Sequence, residues 1–358
     1  MKLMSFHLVP YTEPPKDFRA AGLSVWIDIN TNNDQIRCNS RRTSEGSMPM
    51  LWGSDARLQD RWCPRPMAPE PRTAAADRSP DRAAPIGQQN KQFSMERNVT
   101  DPETLTVDLN GYTTRVWRKG TGPVLGYIAG FGGLPRWMPF LDKLARSRTV
   151  IVPSVPGFPG GDRGHSILDS HLDWMLAMRA LLDKSGLAGA DLAGSSVGAS
   201  LIADVAALWP ESVGKLALIA PFGLFDEKDP PTDPWAQRAD RVPGLLCADP
   251  EVYKAMKAAP DGANSIEWPI EQVRASEAAA RIFWPLGNTR IEKRLGLIKA
   301  PTLLLWGEQD QIMPRSYADV FAQGIAGPTQ VQTIAGAGHL AELDKPTEVA
   351  RAILDFLG

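Results

Sequence analysis

The chain has 358 residues, of which 43% are hydrophobic and 22% are charged, with a formal net charge of −2. This composition is typical of a soluble globular protein, and the near balance of basic and acidic side chains gives no electrostatic reason to expect nucleic acid or a membrane surface as a partner. No run of about 20 apolar residues is present to span a bilayer, and the first residues are too weakly apolar to predict a secretory signal.

The three cysteines are Cys38, Cys63 and Cys247, and the chain has only four histidines. The odd count argues against a disulfide framework, and the spacings match no metal-binding pattern. We therefore expect no disulfide, no metal and no other cofactor. Such cysteine usage predicts a reducing, cytoplasmic location.

Residues 1–95 differ from the rest of the chain. The stretch RWCPRPMAPEPRTAAADRSPDRAAPIGQQN is rich in Pro, Arg and Ala and lacks a sustained strand or helix period. Such a segment buries too little apolar surface to offset the entropy of ordering it. Two interpretations stay open: a disordered extension, or a start codon assigned too far upstream, with Met95 as the true start.

From about residue 96 onward the pattern is regular. TLTVDLNGYTTRVWRKG predicts two strands joined by Asn110-Gly111, a pair favoured in tight hairpins. The apolar runs that follow, VLGYIAG, TVIVPSV, ADLAGSS, KLALIA and PTLLLWG, are typical of strands covered on both faces. Helical stretches lie between them, one of them from near Asp169 to Gly186. The alternation predicts an α/β fold with a doubly wound, mostly parallel sheet led by an antiparallel hairpin.

About 80 residues separate KLALIAPFG from IKAPTLLLWG, too many for one crossover helix. We expect residues 221–299 to form a helical cap over the carboxyl edge of the sheet, where open α/β folds bind their ligands. The alternative for its aromatic residues, among them Trp235, Trp268 and Trp284, is that they only pack the cap on the body.

Gly194-Ser195-Ser196-Val197-Gly198 has the form G-x-S-x-G and lies between a strand-like and a helix-like run. In that context a nucleophile elbow places the central serine, here Ser196, in a strained turn at the end of the strand. Both glycines are expected to be required, because a side chain at either position would collide with the neighbouring strand and helix. A small-residue helix cap is the alternative, but it leaves the two glycines unexplained.

A serine hydroxyl needs a base to take its proton. His339, in TIAGAGHL, follows a strand-like stretch and precedes the last helix in a glycine-rich loop. His171 starts an amphipathic helix, where an exposed structural role is expected. His165 lies in another glycine-rich loop and is a weaker candidate for contact with a substrate.

The base needs a carboxylate to fix its tautomer. Asp310, in PTLLLWGEQD, follows a buried strand and stands 29 residues before His339, so the two loops can be neighbours. Glu308 is the local rival, and Asp226 is a distant one. The chain order Ser, Asp, His is the order of the α/β-hydrolases.

With these motifs in register, residues from about 100 to 358 resemble the α/β-hydrolase fold superfamily, in its esterase-like branch with a single helical cap. GSSVG, LLLWGEQDQIMP and GAGHLAELDKP stand in the expected order. The resemblance implies that Ser196 is the nucleophile, Asp310 the acid and His339 the base.

The family's oxyanion loop is matched by AGFGG, which implies an oxyanion hole formed by the backbone N–H groups of Phe131 and Val197. Ala129 stands where the family commonly has histidine. Because the donors are main-chain amides, we expect the hole to remain intact. Gly132 and Trp137 are candidate substrate-binding residues, with a tight turn and core packing as their alternative roles.

The implied activity is hydrolysis of a small-molecule carboxylic ester through an acyl-enzyme intermediate. Carbon–carbon bond hydrolysis of a ring-cleavage product, lactone opening and perhydrolysis use the same three side chains and stay open. A ligand-binding protein without catalysis is a further alternative, usually marked by a broken triad. The sequence indicates neither the physiological substrate nor the oligomeric state.

Overall fold

The computed structural model describes residues 101–260, 262–283 and 287–358, together with two strands, β1 (Leu23–Ile29) and β2 (Ile36–Arg42). The chain divides into two compact units, residues 1–94 and 95–358. In the first unit β1 and β2 pair in antiparallel fashion. The rest of the segment 1–95 lies outside the described residues, so its interpretation as an extension or a misassigned start stays a prediction.

The second unit is built on one mixed sheet. Its strands are β3 (Glu103–Leu109), β4 (Tyr112–Lys119), β5 (Val124–Ile128), β6 (Thr149–Pro153), β7 (Asp191–Ser195), β8 (Leu216–Ile219), β9 (Thr302–Gly307) and β10 (Thr329–Ile334). Across the sheet the order is β10-β9-β8-β7-β5-β6-β4-β3.

The hairpin predicted at the start of this unit is confirmed. Strands β3 and β4 are antiparallel, and Leu109 lies opposite Tyr112. The two turn residues between them, Asn110 and Gly111, both have positive φ, at 55° and 87°. This is the backbone that a two-residue hairpin turn requires, and Asn and Gly adopt it at the least cost.

Pairing beyond the hairpin confirms the predicted fold class. Strand β4 is antiparallel to β6, whereas all pairs from β6 through β5, β7, β8 and β9 to β10 are parallel. Every residue of β6, β8 and β9 is buried. The predicted α/β fold with a mostly parallel sheet covered on both faces is therefore present.

The helices of the unit are α1 (Pro139–Leu144), α2 (His171–Lys184), α3 (Ser196–Leu208), α4 (Val242–Leu246), α5 (Pro250–Lys257), α6 (Glu267–Phe283), α7 (Ser316–Gly324), α8 (Ala341–Asp344) and α9 (Pro346–Leu357). Helix α2 starts where the sequence predicts, at a capping box between Ser170 and Asp173. Within the described ranges, none of the helices is long and apolar enough to cross a bilayer.

Helices α4, α5 and α6 all fall in the stretch predicted to form a cap. The backbone N–H of Leu340, next to His339, donates to Leu246 O at the end of α4 over 2.8 Å. The ring of Trp235 lies 5.4 Å from that of Phe131, which follows β5. The inserted segment therefore contacts the loops at the carboxyl ends of β5 and β10. Its status as a cap domain bounded by residues 221 and 299 stays a prediction.

Candidate active site

The strained turn predicted at Ser196 is present. Strand β7 ends at Ser195, and helix α3 begins at the next residue without an intervening loop. Ser196 has a φ of 51°, in the left-handed region that residues other than glycine rarely adopt. Such strain is retained where the surrounding structure imposes it, and functional turns are among the places where it occurs.

Both glycines of the motif lie where a side chain would collide. A β-carbon built at Gly198 would overlap the carbonyl oxygen of Ile128 and would lie 2.6 Å from that of Ala129. One built at Gly194 would lie 2.9 Å from the backbone nitrogen of Ala199 in α3. The helix that carries Ser196 therefore packs directly against the end of β5, as the sequence predicts.

Ser196, His339 and Asp310 meet at the carboxyl edge of the sheet. His339 Nε2 lies 2.8 Å from Ser196 Oγ, and His339 Nδ1 lies 2.9 Å from Asp310 Oδ2. All three side chains are buried, Ser196 and His339 completely. Both distances are within hydrogen-bond range, so the geometry allows the imidazole to take a proton from the serine while the carboxylate holds its other nitrogen.

The carboxylate of Asp310 is fixed from behind by the backbone. Its Oδ1 accepts hydrogen bonds from the N–H groups of Ile312 at 2.8 Å and Met313 at 2.9 Å. These bonds leave Oδ2 directed at His339 Nδ1. A carboxylate held in this way favours the tautomer of His339 with its proton on Nδ1, which makes Nε2 an acceptor.

Neither rival acid contacts His339 in this way. Glu308 Oε2 accepts a hydrogen bond from the backbone N–H of Gly336 over 2.9 Å, so Glu308 supports the loop before His339. Asp226 Oδ1 accepts from the N–H of Lys228 within its own turn. Of the three acids that the sequence offers, Asp310 is the one placed beside the imidazole.

Val197 follows Ser196 in the chain, and Phe131 lies in a turn that contacts the serine. Val197 is the second residue of α3, where backbone N–H groups have no acceptor inside the helix. Phe131 lies in a tight turn closed by a 2.9 Å bond from Gly133 N–H to Gly130 O. A β-carbon built at Gly130 would lie 3.2 Å from Ser196 Cβ, so this turn is in contact with the serine.

The two candidate substrate-binding residues lie in different surroundings. The carbonyl of Gly132 accepts a 2.7 Å hydrogen bond from Lys257 Nζ. Trp137 is half-buried, with its ring edge-on to Trp117 at 6.1 Å and its Nε1–H donating to Asp142 over 2.9 Å. These contacts of Trp137 are those of a packing residue, and its role in binding an acyl group stays a prediction.

The other described histidines are engaged elsewhere. His171 is half-buried rather than exposed, because its Nε2 lies 2.8 Å from Oδ2 of the fully buried Asp204. Arg294 Nε donates to the other oxygen of Asp204 over 2.7 Å, and together the two partners satisfy this buried carboxylate. His165 is buried with Nε2 3.8 Å from Glu277 Oε2.

No metal or thiol chemistry is evident in the part of the chain that the structure describes. Within it, no three His, Cys, Asp or Glu side chains are grouped so that they could hold a metal ion. Cys247 is buried, and burial raises the pKa of its thiol. A protonated thiol is a poor nucleophile and a poor metal ligand.

A buried cluster of polar residues beside Ser196 was not predicted from the sequence. Tyr127 on β5 donates its hydroxyl to Glu342 Oε1 over 3.1 Å, and both side chains are buried, as is Ser195. Burial raises the pKa of the Glu342 carboxyl above its usual value. The available signal was a lone glutamate three residues after His339 in the otherwise apolar run HLAEL.

The raised pKa of Glu342 predicts a pH-dependent loss of stability. The unfolded chain releases this proton at the ordinary pKa and the folded chain at a higher one, so the free energy of unfolding falls as pH rises between the two values. The slope inside that window is about 1.4 kcal/mol per pH unit. Glu342→Gln removes this loss, so its melting temperature relative to the wild type should rise as the pH increases above the ordinary glutamate pKa of about 4.3.

The control is Glu348→Gln at an exposed position of α9, which makes the same chemical change outside the cluster. Thermal unfolding of both variants should be followed by circular dichroism across this pH range. A Glu342→Gln variant whose advantage over the wild type shrinks with rising pH would show that the carboxyl is ionised in the folded protein.

Comparison with known proteins agrees with the predicted fold. A family model described as alpha/beta hydrolase fold matches residues 123–346. The dihydrolipoyllysine-residue acetyltransferase component of the acetoin cleaving system of Pseudomonas putida is 30% identical over 277 residues, which cover 72% of this chain and 70% of that protein.

Two hydrolases are also similar in sequence. Human monoacylglycerol lipase ABHD6 is 23% identical over 263 residues, covering 67% of this chain and 77% of the lipase. The 2-hydroxy-6-oxo-6-phenylhexa-2,4-dienoate hydrolase of Comamonas testosteroni is 27% identical over 275 residues, covering 70% of this chain and 93% of that enzyme.

Proposed function

Because the chain belongs to the alpha/beta hydrolase fold family, we propose that it is a serine hydrolase that cleaves a carboxylic ester of a small molecule through an acyl-enzyme intermediate. The observation that carries this proposal is the pair of distances at His339. Its two ring nitrogens lie 2.8 Å from the Ser196 hydroxyl and 2.9 Å from the Asp310 carboxylate. This arrangement activates a serine hydroxyl, which is otherwise a weak nucleophile.

In the first step, Ser196 Oγ attacks the ester carbonyl carbon while His339 Nε2 takes the hydroxyl proton. Asp310 stabilises the resulting imidazolium through its bond to Nδ1. The carbonyl oxygen gains the negative charge and accepts hydrogen bonds from the N–H groups of Phe131 and Val197. Each such donor stabilises the transition state by about 3 kcal/mol.

Collapse of this tetrahedral intermediate breaks the ester C–O bond, and His339 gives its proton to the leaving alcohol. A water molecule then attacks the acyl-serine carbonyl while His339 Nε2 takes one of its protons. The second tetrahedral intermediate releases the carboxylic acid, and His339 returns the proton to Ser196 Oγ. The cycle consumes one ester and one water and requires no cofactor.

The surroundings of the serine favour an apolar acyl or alcohol group. The ring of Phe222 lies edge-on to the His339 imidazole at 5.5 Å, and Phe131 contacts Trp235 of the inserted segment. Because Ser196 and His339 are fully buried, water screens the electrostatic interactions between them only weakly. The proposal also includes that the substrate is a small molecule, that the protein is cytoplasmic, and that it has no nucleic-acid or membrane partner.

A second candidate is hydrolysis of a carbon–carbon bond next to a ketone. It is favoured by the similarity to the dienoate hydrolase, which covers 93% of that enzyme. The same serine, imidazole and oxyanion donors would serve both reactions, since both develop negative charge on a carbonyl oxygen. The two candidates differ in the group that leaves.

The test is turnover of a panel of short p-nitrophenyl esters beside a 2-hydroxy-6-oxo-dienoate. We expect higher kcat/KM for the esters, with an initial burst of p-nitrophenol of about one equivalent per enzyme if deacylation is the slower step. Cleavage of the dienoate without ester turnover would instead assign the carbon–carbon reaction. Turnover of neither class would contradict both candidates.

A further inference from the structure

Lys257, the last residue of α5, reaches from the inserted segment to the loop that carries Phe131. Its Nζ lies 2.7 Å from the carbonyl oxygen of the buried Gly132 and 3.4 Å from that of Gly133. Among the ion pairs of the described residues, none includes Lys257. Its ammonium group is therefore satisfied by two backbone carbonyls rather than by a carboxylate.

This placement of a lysine is costly. Burial lowers the pKa of Lys257 to about 7, and the nearby carboxylate of Glu271 only partly opposes the shift. Removing an ammonium group from water without an ion-pair partner is unfavourable. Lys254, one turn earlier on the same helix, shows the ordinary arrangement, since it is exposed and pairs with Glu251 over 2.6 Å. The unusual position of Lys257 therefore points to a function beyond stability.

Two further contacts join the same loop to the inserted segment. Arg136 Nη2 donates to the carbonyl oxygen of Ala258, the residue after Lys257. The Phe131 ring packs against Trp235. The end of α5 thus donates a hydrogen bond to the Phe131 loop and accepts one from it. The inserted segment therefore helps to hold this loop in place.

The Phe131 loop needs such support because its two glycines can adopt several backbone conformations. Gly132 and Gly133 have φ values of 73° and 67°, and glycine populates several backbone regions at similar energy. A different backbone conformation at these glycines would shift the turn, and with it the Phe131 N–H, relative to Ser196. Lys257 holds the carbonyls of the two glycines and so opposes that shift.

We propose that Lys257 is a positioning residue that keeps the Phe131 N–H directed at the developing oxyanion, so that docking of the inserted segment and formation of the oxyanion hole are coupled. The inference rests on the proposed ester hydrolysis. Since the N–H is needed most when the charge develops, loss of Lys257 should affect the chemical step more than the binding of the substrate.

The test compares Lys257→Met, Lys257→Arg and Lys254→Met with p-nitrophenyl butyrate. Lys257→Met should lower kcat by about 10-fold to 100-fold, because one donor is misplaced rather than removed, while KM changes by less than about threefold. Lys257→Arg retains charge and donors and should restore most of the rate. Lys254→Met, on the exposed side of the same helix, should match the wild type.

Binding of a transition-state analogue gives a second readout. The affinity of Lys257→Met for an alkyl boronic acid, which places an anionic oxygen in the hole, should fall in proportion to kcat/KM. If the methionine variant does not fold, Lys257→Gln, which keeps an N–H donor, should show a smaller loss of the same kind. A wild-type kcat in Lys257→Met, or a loss confined to KM, would overturn the inference. A wild-type protein without ester turnover would instead contradict the proposed function.

Discussion

Ser196→Ala should lower kcat for p-nitrophenyl esters by about 10⁴-fold to 10⁶-fold. The change removes the one oxygen that lies 2.8 Å from His339 Nε2, and with it the covalent intermediate. Only the oxyanion donors and substrate binding would remain to accelerate the reaction. The fold should persist, since alanine fits in the space of serine and the turn is held by its glycines. Steady-state kinetics with the purified variant gives the measurement.

The matched control is Ser195→Ala, the neighbouring serine of the same turn. Ser195 belongs to the buried cluster with Tyr127 and Glu342, and the hydroxyl that lies 2.8 Å from His339 Nε2 is that of Ser196. We expect this control to keep kcat within about tenfold of the wild type. Equal losses in the two variants would indicate disruption of the turn and would contradict a specific role for Ser196.

Asp310→Asn should lower kcat by about 10⁴-fold. An asparagine oxygen can still accept from the N–H groups of Ile312 and Met313, so the loop should keep its structure. Its amide group would then face His339 Nδ1 and donate to it. That bond stabilises the tautomer with the proton on Nε2, which cannot take a proton from Ser196.

Glu308→Gln serves as the control for Asp310→Asn, because Glu308 is the rival acid two residues earlier in the same loop. The glutamine oxygen can still accept from Gly336 N–H, so we expect activity within a few-fold of the wild type. Rates should be measured at several pH values with one ester. A larger loss in Glu308→Gln than in Asp310→Asn would overturn the assignment of the acid.

The parts of the fold that sequence predicted well are those with local signals. Asn110-Gly111 defines the hairpin because few other pairs tolerate positive φ at both positions. The elbow is likewise encoded within five residues, and its two glycines are explained by contacts with the adjoining strand and helix. Asp310 could be placed beside His339 because the carboxyl ends of neighbouring parallel strands share one edge.

The support around the site was not predictable, since it depends on contacts between distant parts of the chain. Lys257 and Gly132 are 125 residues apart, and Glu342 and Tyr127 are 215 apart. Their pairing follows from how the inserted segment and the last helices pack on the sheet. His171 shows the same limit, because its partner Asp204 is recognisable only once α2 and α3 lie side by side.

Labelling with a fluorophosphonate probe tests most directly whether His339 and Asp310 activate Ser196 as a nucleophile. After incubation, intact-mass and peptide-mapping mass spectrometry should find one phosphonyl group, on Ser196, and none in Ser196→Ala. Asp310→Asn should be labelled far more slowly than the wild type. A wild-type protein that stays unlabelled under conditions where the probe modifies a known serine esterase, or that carries the label on another residue, would contradict the account.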